Sequence, residues 1–584
     1  MEKSTIKRTR LLSILTLIIA LLLTVAIAAG CTGAPAAPAT PADTGATDTS
    51  ANAVDTAAPD TAEDIDSITE GVTLTIAVRE NIRVENFNTN DMTRQIEDAL
   101  GVNLDFMVLP SADFETRINL MIAGGDTLPD MIFGPTRDSV NFWAQEEVLL
   151  PLNRFYAEPA MSYNIHLAST TEGIDIPTYM TFPDGNIYGI PSFSPSPNGE
   201  VWRKLWVYEP WLEQLGRDIP QTTDEYLEIL RLVAATDLNG NGINDEIGLT
   251  GTGIGTFNDA WFRFLMSSFI YAHDEEFRVL NDGVISFAYD TELWREGLRY
   301  IRQMFDEGLI PIETLTQGDD GYRAMKNAED NQVFSFVFFN TDLFIPDLLD
   351  RRMGYNFVST LRGPHGLNEG MFAPSIPGIG AVITVDSQHP EAAFLVGNFM
   401  CHPDFGLSQR FGAQGLDWDH FFEADVNHAD FAAVNPAVEP NLLIYDAIGF
   451  WSAGVIQNRS FALTGPMWKP RDTVPGEAVN IADTDPLVVQ RRLLAQSFAA
   501  SSAAGLEVAR QEVISLLPLT IEEAERVNDI RATLSAYLEE NIAAFLVGAR
   551  CIDNDWDTYL AELESIGYRT VLEVYQVAFD RLFG

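Results

Sequence analysis

The sequence predicts an α/β protein built as at least two lobes, and three observations carry that expectation. Between residues 72 and 133, apolar runs and amphipathic stretches alternate as strand, helix, strand, helix, strand, which implies a parallel sheet with right-handed crossovers. At 584 residues, with 46% hydrophobic and 21% charged, the chain can bury sizeable cores and is too long for a single one. Near the C-terminus, Thr520 and Glu523 form a capping box, and Val527, Ile530, Leu534 and Leu538 recur at helical spacing. That apolar face is expected to pack against the second lobe.

The first residues belong to targeting rather than to the fold. Lys3, Lys7, Arg8 and Arg10 form a basic start, residues 11–29 are apolar, and Ala28, Ala29 and Gly30 stand directly before Cys31. Residues 1–31 therefore resemble a lipoprotein signal peptide in which Cys31 is lipidated, as by palmitate, and becomes the mature N-terminus. An uncleaved anchor is the other reading, since 19 apolar residues nearly span a bilayer. Residues 32–70 are rich in Ala, Pro, Thr and Asp, bury too little to offset their ordering entropy, and are expected to form a disordered tether.

In the body, strands are expected at 72–78, 102–108 and 131–133, with helices at 92–100 and 112–123 between them. Ligands of such sheets sit beyond the carboxyl ends of the strands, which places residues 134–138 at the edge of a cleft. A helix at 224–235 leads into an oxygen-rich loop. There Asp237, Asn239 and Asn241 alternate with Gly240 and Gly242, so their side-chain oxygens converge in a tight turn. The carbonyl of Ile243 and the carboxylates of Asp245 and Glu246 would complete a shell of roughly six to eight oxygens, the number calcium prefers. The twelfth position of an EF-hand loop would be Gly248 rather than Glu, which makes this a variant. The same residues also suit a plain helix cap and turn.

Composition narrows the partners. With 84 acidic and 36 basic residues the net charge is -48, which repels nucleic acid and anionic membranes and favours a neutral or cationic ligand. Arg137, Arg203 and Lys204 are the residues that could build a local basic pocket against that field. Besides Cys31 only Cys401 and Cys551 are present, so no disulfide framework is implied. The chain carries no Gly-x-Ser-x-Gly elbow, His-Glu-x-x-His helix or Walker loop, and no enzyme is expected. His420 and His428 lie near Asp417, Asp419, Glu423 and Asp425, but without tetrahedral-site spacing, and read as a solvated acidic face.

Several stretches then point to one family. Residues 120–132, containing Gly124-Gly125-Asp126-Thr127-Leu128-Pro129-Asp130, resemble the signature of extracellular solute-binding proteins of ABC importers, the maltose-binding type in the broad sense. Residues 185–191 resemble that family's first crossing between lobes. Residues 297–310, 389–393, 554–559 and 575–581 match its large lipoprotein branch, which includes binders of alginate oligosaccharides, and the calcium loop is similar to one found there. A departure is Tyr208-Glu209-Pro210, where the branch often carries basic residues.

The resemblance implies a periplasmic-binding-protein-like fold: two lobes, each with a mostly parallel sheet flanked by helices, joined by hinge segments, with extra C-terminal helices. It places 71–187 and 362–415 in the first lobe, and 188–361 and 416–584 in the second, with crossings near 188–191 and 361–372. It also implies a monomer, held by lipid at the extracellular face of the membrane, that passes a carbohydrate to ABC permease subunits. A peptide or other organic solute is the alternative ligand, and a secreted carbohydrate-active enzyme the alternative class. Flat rings stack on sugars, which makes Trp261, Trp418 and Trp451, in loop-like settings, candidate ligand contacts. Asn258 lies beside Trp261, and likeness to the family adds Arg137, Asp138 and Asn340.

Overall fold

The computed structural model describes residues 67–583 except 196–199, 201–202, 255–259, 273–275, 277, 327, 339–350, 352–353, 359, 369–373, 421–430, 434–440, 446–455, 472, 474–476, 481–512 and 515. Cys31 and the signal segment, most of the expected tether, and Asn258, Asn340, Trp451 and His428 lie outside the described residues. The fold begins earlier than expected. Ile68 packs on the first core and Thr69 is fully buried, so the ordered body includes the last residues assigned to the tether.

Strand β1 (Thr73–Arg79) pairs in parallel with β2 (Asn103–Leu109) on one side and with β3 (Met131–Phe133) on the other, as the alternation predicts. The intervening helix Asp91–Leu100 starts where the Asn90 side chain accepts from the Met92 amide and stops at Gly101. Gly101 adopts φ 69°, a conformation open to glycine at little cost. The helix buries Met92 and Ile96 at helical spacing against the sheet. After β4 (Gly189–Phe193) the chain crosses to a second sheet made of β5 (Lys204–Tyr208), β6 (Ile247–Thr250), β9 (Val333–Phe338) and β10 (Tyr355–Val358), with the hairpin β7 (Arg278–Asn281) and β8 (Val284–Phe287) inserted between them.

The chain returns as β11 (Gly378–Ile383), which inserts between β3 and β4, antiparallel to both. The first sheet therefore runs β15-β4-β11-β3-β1-β2, where β15 is Met467–Trp468. A small sheet of β12 (Trp418–His420), β13 (Phe431–Ala433), β14 (Leu442–Ile444) and β16 (Glu477–Asn480) lies outside the two main ones.

Three expectations need correction. The second sheet is mixed rather than mostly parallel: β6 and β9 are parallel, but β5 runs antiparallel to both β9 and β10. The first crossing lies after Phe193, because residues 189–193 are sheet in the first lobe. Residues 456–469 also belong with the first core, where Phe461 and Trp468 are buried and β15 extends the sheet beside β4. A strand added in parallel at a sheet edge cannot be read from a two-residue run. Cys401 is buried and Cys551 exposed, and they are unpaired.

The C-terminal helices Ile521–Val547, Trp556–Ile566 and Tyr568–Phe583 pack on the second core, as their apolar faces require. The capping box of Thr520 and Glu523 opens the first of them, and its Val527, Leu534 and Leu538 are buried. The last turn reaches back, with Leu582 and Phe583 packed against the first core.

One ionic cluster joins the crossings. Arg471 Nη1 lies 2.6 and 2.7 Å from the two carboxylate oxygens of Glu200, in the outgoing crossing. The amide of Ser375, in the returning segment, donates to Glu200 Oε1 at 3.2 Å. Glu172 Oε1 accepts from the Arg471 amide at 3.0 Å and from the Trp468 indole at 3.1 Å. Both glutamate side chains are almost completely buried around this one cation. Arg471→Ala is expected to cost about 3 kcal/mol, because it leaves two buried carboxylates without their countercharge. Chemical denaturation of the variant checks this, and a loss below about 1 kcal/mol would show the cluster to be no such support.

Candidate functional site

Strand direction decides where a site can form. Because β1 and β3 are parallel and β11 is antiparallel to β3 and to β4, the ends of β1, β3 and β4 and the start of β11 meet at one sheet edge. A cleft of about 310 Å³ opens there, lined by Arg79, Glu80 and Asn81 after β1, Phe133 and Gly134 after β3, Ser192 on β4, and Gly380 on β11. It also lies where the chain leaves the first sheet for the second, one residue beyond Ser192. That is the position expected for ligands of open α/β sheets.

The far wall is a turn, Leu463-Thr464-Gly465, held close to the strands. A Cβ on Gly380 would stand 2.6 Å from Pro466 Cα, and one on Gly465 would stand 2.6 Å from the Phe133 ring, so only glycine permits this approach. The pairing of β11 with β4 is irregular between Ile379 and Ala381, which leaves Gly380 at the cleft, where its carbonyl accepts from the Gly134 amide. Ala462 and Leu463 both take positive φ, 51° and 65°, a conformation costly for residues with a side chain. Asn81 Nδ2 donates to Thr464 Oγ1 at 3.2 Å and ties the turn to the end of β1.

Among the described residues of this lining Arg79 is the one cation, and it is committed. Its guanidinium lies 4.4 Å over the Phe114 ring, pairs with Glu115, and donates to the carbonyls of Gly134 and Ser111. The Glu80 side chain is exposed and has no hydrogen-bond or ion-pair partner among the described residues.

The residues proposed from sequence fall elsewhere. Arg137 opens the helix Arg137–Gln145, but its guanidinium turns inward, donates to the carbonyls of Tyr179 and Thr181, and lies 4.8 Å over Phe182. Burial lowers its pKa to about 10, against the opposing pull of Asp138. Asp138 is exposed in the first turn of that helix, favourable for its macrodipole. Trp261 is fully buried in the second core with its indole donating to the Thr252 carbonyl. Trp418 is also fully buried, donates to the Gly412 carbonyl, and packs with Leu407, Phe411, Leu442 and Ile444. Neither ring is available for stacking on a ligand in this conformation. Arg203 and Lys204 are buried at the start of the second sheet. His420 pairs with Asp404 at 2.9 Å.

Of the cleft residues, Gly134 falls within the stretch 134–138 expected at a cleft edge, and the others escaped the sequence reading. Arg79 to Asn81 carried a signal, since they follow the first strand as residues 134–138 follow the third. The turn at 463–465 carried none, being far away in sequence.

The oxygen-rich loop is brought together. Asp237 accepts from the amides of Gly240, Asn241 and Gly242, while Asn239 and Asn241 accept from the Asn241 and Ile243 amides. Gly240 and Gly242 take φ 78° and 93°, as the turn demands. Burial raises the Asp245 carboxyl pKa, but donors from Gln332, Asn239 and Asn241 outweigh it and hold it below the ordinary range. Glu246 folds back, and its Oε1 accepts from the Leu238 and Asn239 amides at 2.6 and 2.9 Å. The residue is 7% exposed, and Oε2 is buried with no partner among the described residues. No three His, Cys, Asp or Glu side chains among the described residues are gathered closely enough to hold a metal. The carboxylates here are separated by amide donors that occupy their oxygens. An orphaned buried carboxylate oxygen, in a loop that also carries Asp237, Asn239, Asn241 and Asp245, is nonetheless donor chemistry that suits a hard cation.

The chain is 26% identical over 516 residues to the fructooligosaccharide ABC transporter substrate-binding protein FusA of Streptococcus pneumoniae, covering 85% of this chain and 87% of FusA. It is a relative of the extracellular solute-binding proteins of ABC importers. FusA bound to kestose superposes with TM-score 0.61 at 23% identity, covering 87% of this chain and 99% of FusA, and FusA has also been solved as an EF-hand mutant with fructo-nystose. An HMO-binding, ABC-transporter-associated solute-binding protein of Bifidobacterium longum infantis superposes at TM-score 0.71 with 15% identity, covering 88% and 99%. The alginate-binding protein AlgQ2, solved without calcium ion, superposes at 0.58 with 19% identity, covering 88% and 98%. No family model matches the chain. The chain thus shares its fold with binders of several glycans.

Because the Trp261 ring packs closely on Gly251 and lies T-shaped to Phe262 and Phe305, Trp261→Ala is expected to cost about 3–5 kcal/mol of unfolding free energy. Urea denaturation with and without ligand checks this, and unchanged stability with lost binding would instead place the ring in the site.

Proposed function

We propose that this protein captures an oligosaccharide between its two lobes at the outer face of the membrane and delivers it to an ABC permease. One observation carries the reading: a cleft with both polar and apolar lining opens at the strand edge from which the chain crosses to its second lobe, in a relative of FusA over most of its length. A ligand touching both lobes would shift an open population toward a closed one, the form a permease recognises. The lining offers hydroxyl, amide and carboxylate groups suited to sugar hydroxyls, and binding without turnover is the expected behaviour. Lipidation at Cys31 after signal-peptide cleavage would anchor the body. Asp138, with Asn258, Asn340 and Trp451, is proposed to contact the ligand in the closed form. Arg137 supports the first lobe.

The test is thermal unfolding of the purified protein against neutral and acidic oligosaccharides, peptides and other small solutes. A native-state ligand at about a hundredfold over its Kd stabilises by about 2.7 kcal/mol. A shift confined to oligosaccharides, with the sugar recovered intact, is the expected outcome. Shifts only with peptides would overturn the ligand, and accumulating product would overturn the binding-only reading.

Calcium is proposed for the loop of Asp237, Asn239, Asn241, Ile243, Asp245 and Glu246. The ion would supply positive charge to the orphaned Glu246 oxygen and fix the turn between the helix Thr223–Ala234 and β6. Chelation is expected to lower the melting temperature and calcium to restore it, with Glu246→Gln insensitive to both. Melting that ignores chelator and calcium alike would refute the assignment. In calcium-free protein the depressed Asp245 pKa adds stability above the unfolded-state pKa. Acid melts should therefore show it lost as pH falls through the lower folded value.

A further inference from the structure

We infer that the first-lobe cleft selects uncharged oligosaccharides over uronate or otherwise anionic ones, and that Glu80 is the residue that does so. The inference rests on the oligosaccharide reading above and narrows its substrate class. A carboxylate-bearing sugar needs a desolvated cation with free donors in its site. Among the described residues lining the cleft, the only cation is Arg79. Its charge is already met by Glu115, and its donors reach two backbone carbonyls. The three basic residues singled out from the sequence do not line it: Arg137 is turned onto the carbonyls of Tyr179 and Thr181, and Arg203 and Lys204 are buried at the start of the second sheet. Glu80 meanwhile stands at the rim with its carboxylate unpartnered among the described residues. Among the described residues, a ligand carboxylate arriving here meets a like charge and no free countercharge, within a protein of net charge -48.

The same group suits a neutral sugar. A carboxylate accepts from two adjacent hydroxyls in charge-assisted hydrogen bonds, and Asn81, Ser192 and Thr464 add uncharged donors and acceptors around it. Like-charge repulsion is the element that rejects the wrong ligand, and the hydroxyl bonds are the element that holds the right one.

Isothermal titration of the full-length protein with kestose, maltotriose and trimannuronate at equal ionic strength tests this. A neutral trisaccharide is expected to bind about 100-fold tighter than trimannuronate, with the gap narrowing as salt rises. Glu80→Gln, an exposed isosteric change that leaves the fold intact, is expected to weaken neutral binding and to strengthen trimannuronate binding about tenfold. Trimannuronate binding as tightly as the neutral sugars would overturn the inference while leaving oligosaccharide capture standing. Trimannuronate affinity unchanged in Glu80→Gln would remove Glu80 from the selecting role. Peptide binding with no sugar binding of either charge would bring down the oligosaccharide reading, and this inference with it.

Discussion

Strand polarity is the constraint on which the rest of the molecule depends. Two parallel pairings set β1, β2 and β3 in one direction, and the two successive antiparallel pairings through β11 return β4 to that direction. Carboxyl ends therefore collect at a single edge, where the backbone must leave the sheet and the next groups are loop residues with unsatisfied donors and acceptors. The cleft, the crossing to the second lobe and the turn at 463–465 all lie at this edge. None of them is placed by its own local sequence.

The crossings add a second constraint of a different kind. A hinge must bend, yet the segments that form it must not wander when the lobes part. Glu200 and Ser375, from the outgoing and returning segments, are hydrogen-bonded to each other, and Arg471 binds both this pair and Glu172 of the first lobe. Burying two carboxylates against one arginine is an expensive way to gain stability. It is an effective way to fix geometry, because each partner left alone would be worse off than in water.

Much of the fold was legible because it is local. The alternation over 72–133, the helix at 224–235 and the capping box at Thr520 each depend on neighbours within a few residues, and the structure has them nearly as expected. The loop from Asp237 to Glu246 was legible for the same reason. The cleft was not. Leu463 and Asn81 are almost four hundred residues apart, and what joins them is a two-residue strand, β15, whose pairing with β4 no periodicity announces. The tryptophans misled for a complementary reason. A ring after glycine and polar residues looks like a loop residue, but Trp261 and Trp418 satisfy their indole N–H groups on the carbonyls of Thr252 and Gly412 and so can be buried outright.

The turn that closes the cleft shows how such a site keeps its shape. Left-handed backbone at Ala462 and Leu463 costs of order 1–3 kcal/mol each. Glycine there would relax the strain but leave the turn more ways to move. The chain instead anchors the strained pair from one side with Phe461, whose ring centroid lies 5.5 to 5.6 Å from those of Phe87 and Phe106. From the other side Gly465 packs directly on Phe133. The strain is thus offset by core packing that has nothing to do with a ligand, and Thr464 is already in place at the end of β1 before any ligand arrives. A site arranged in this way does not have to order that turn on binding, so more of the hydrogen-bond energy remains as affinity and as discrimination.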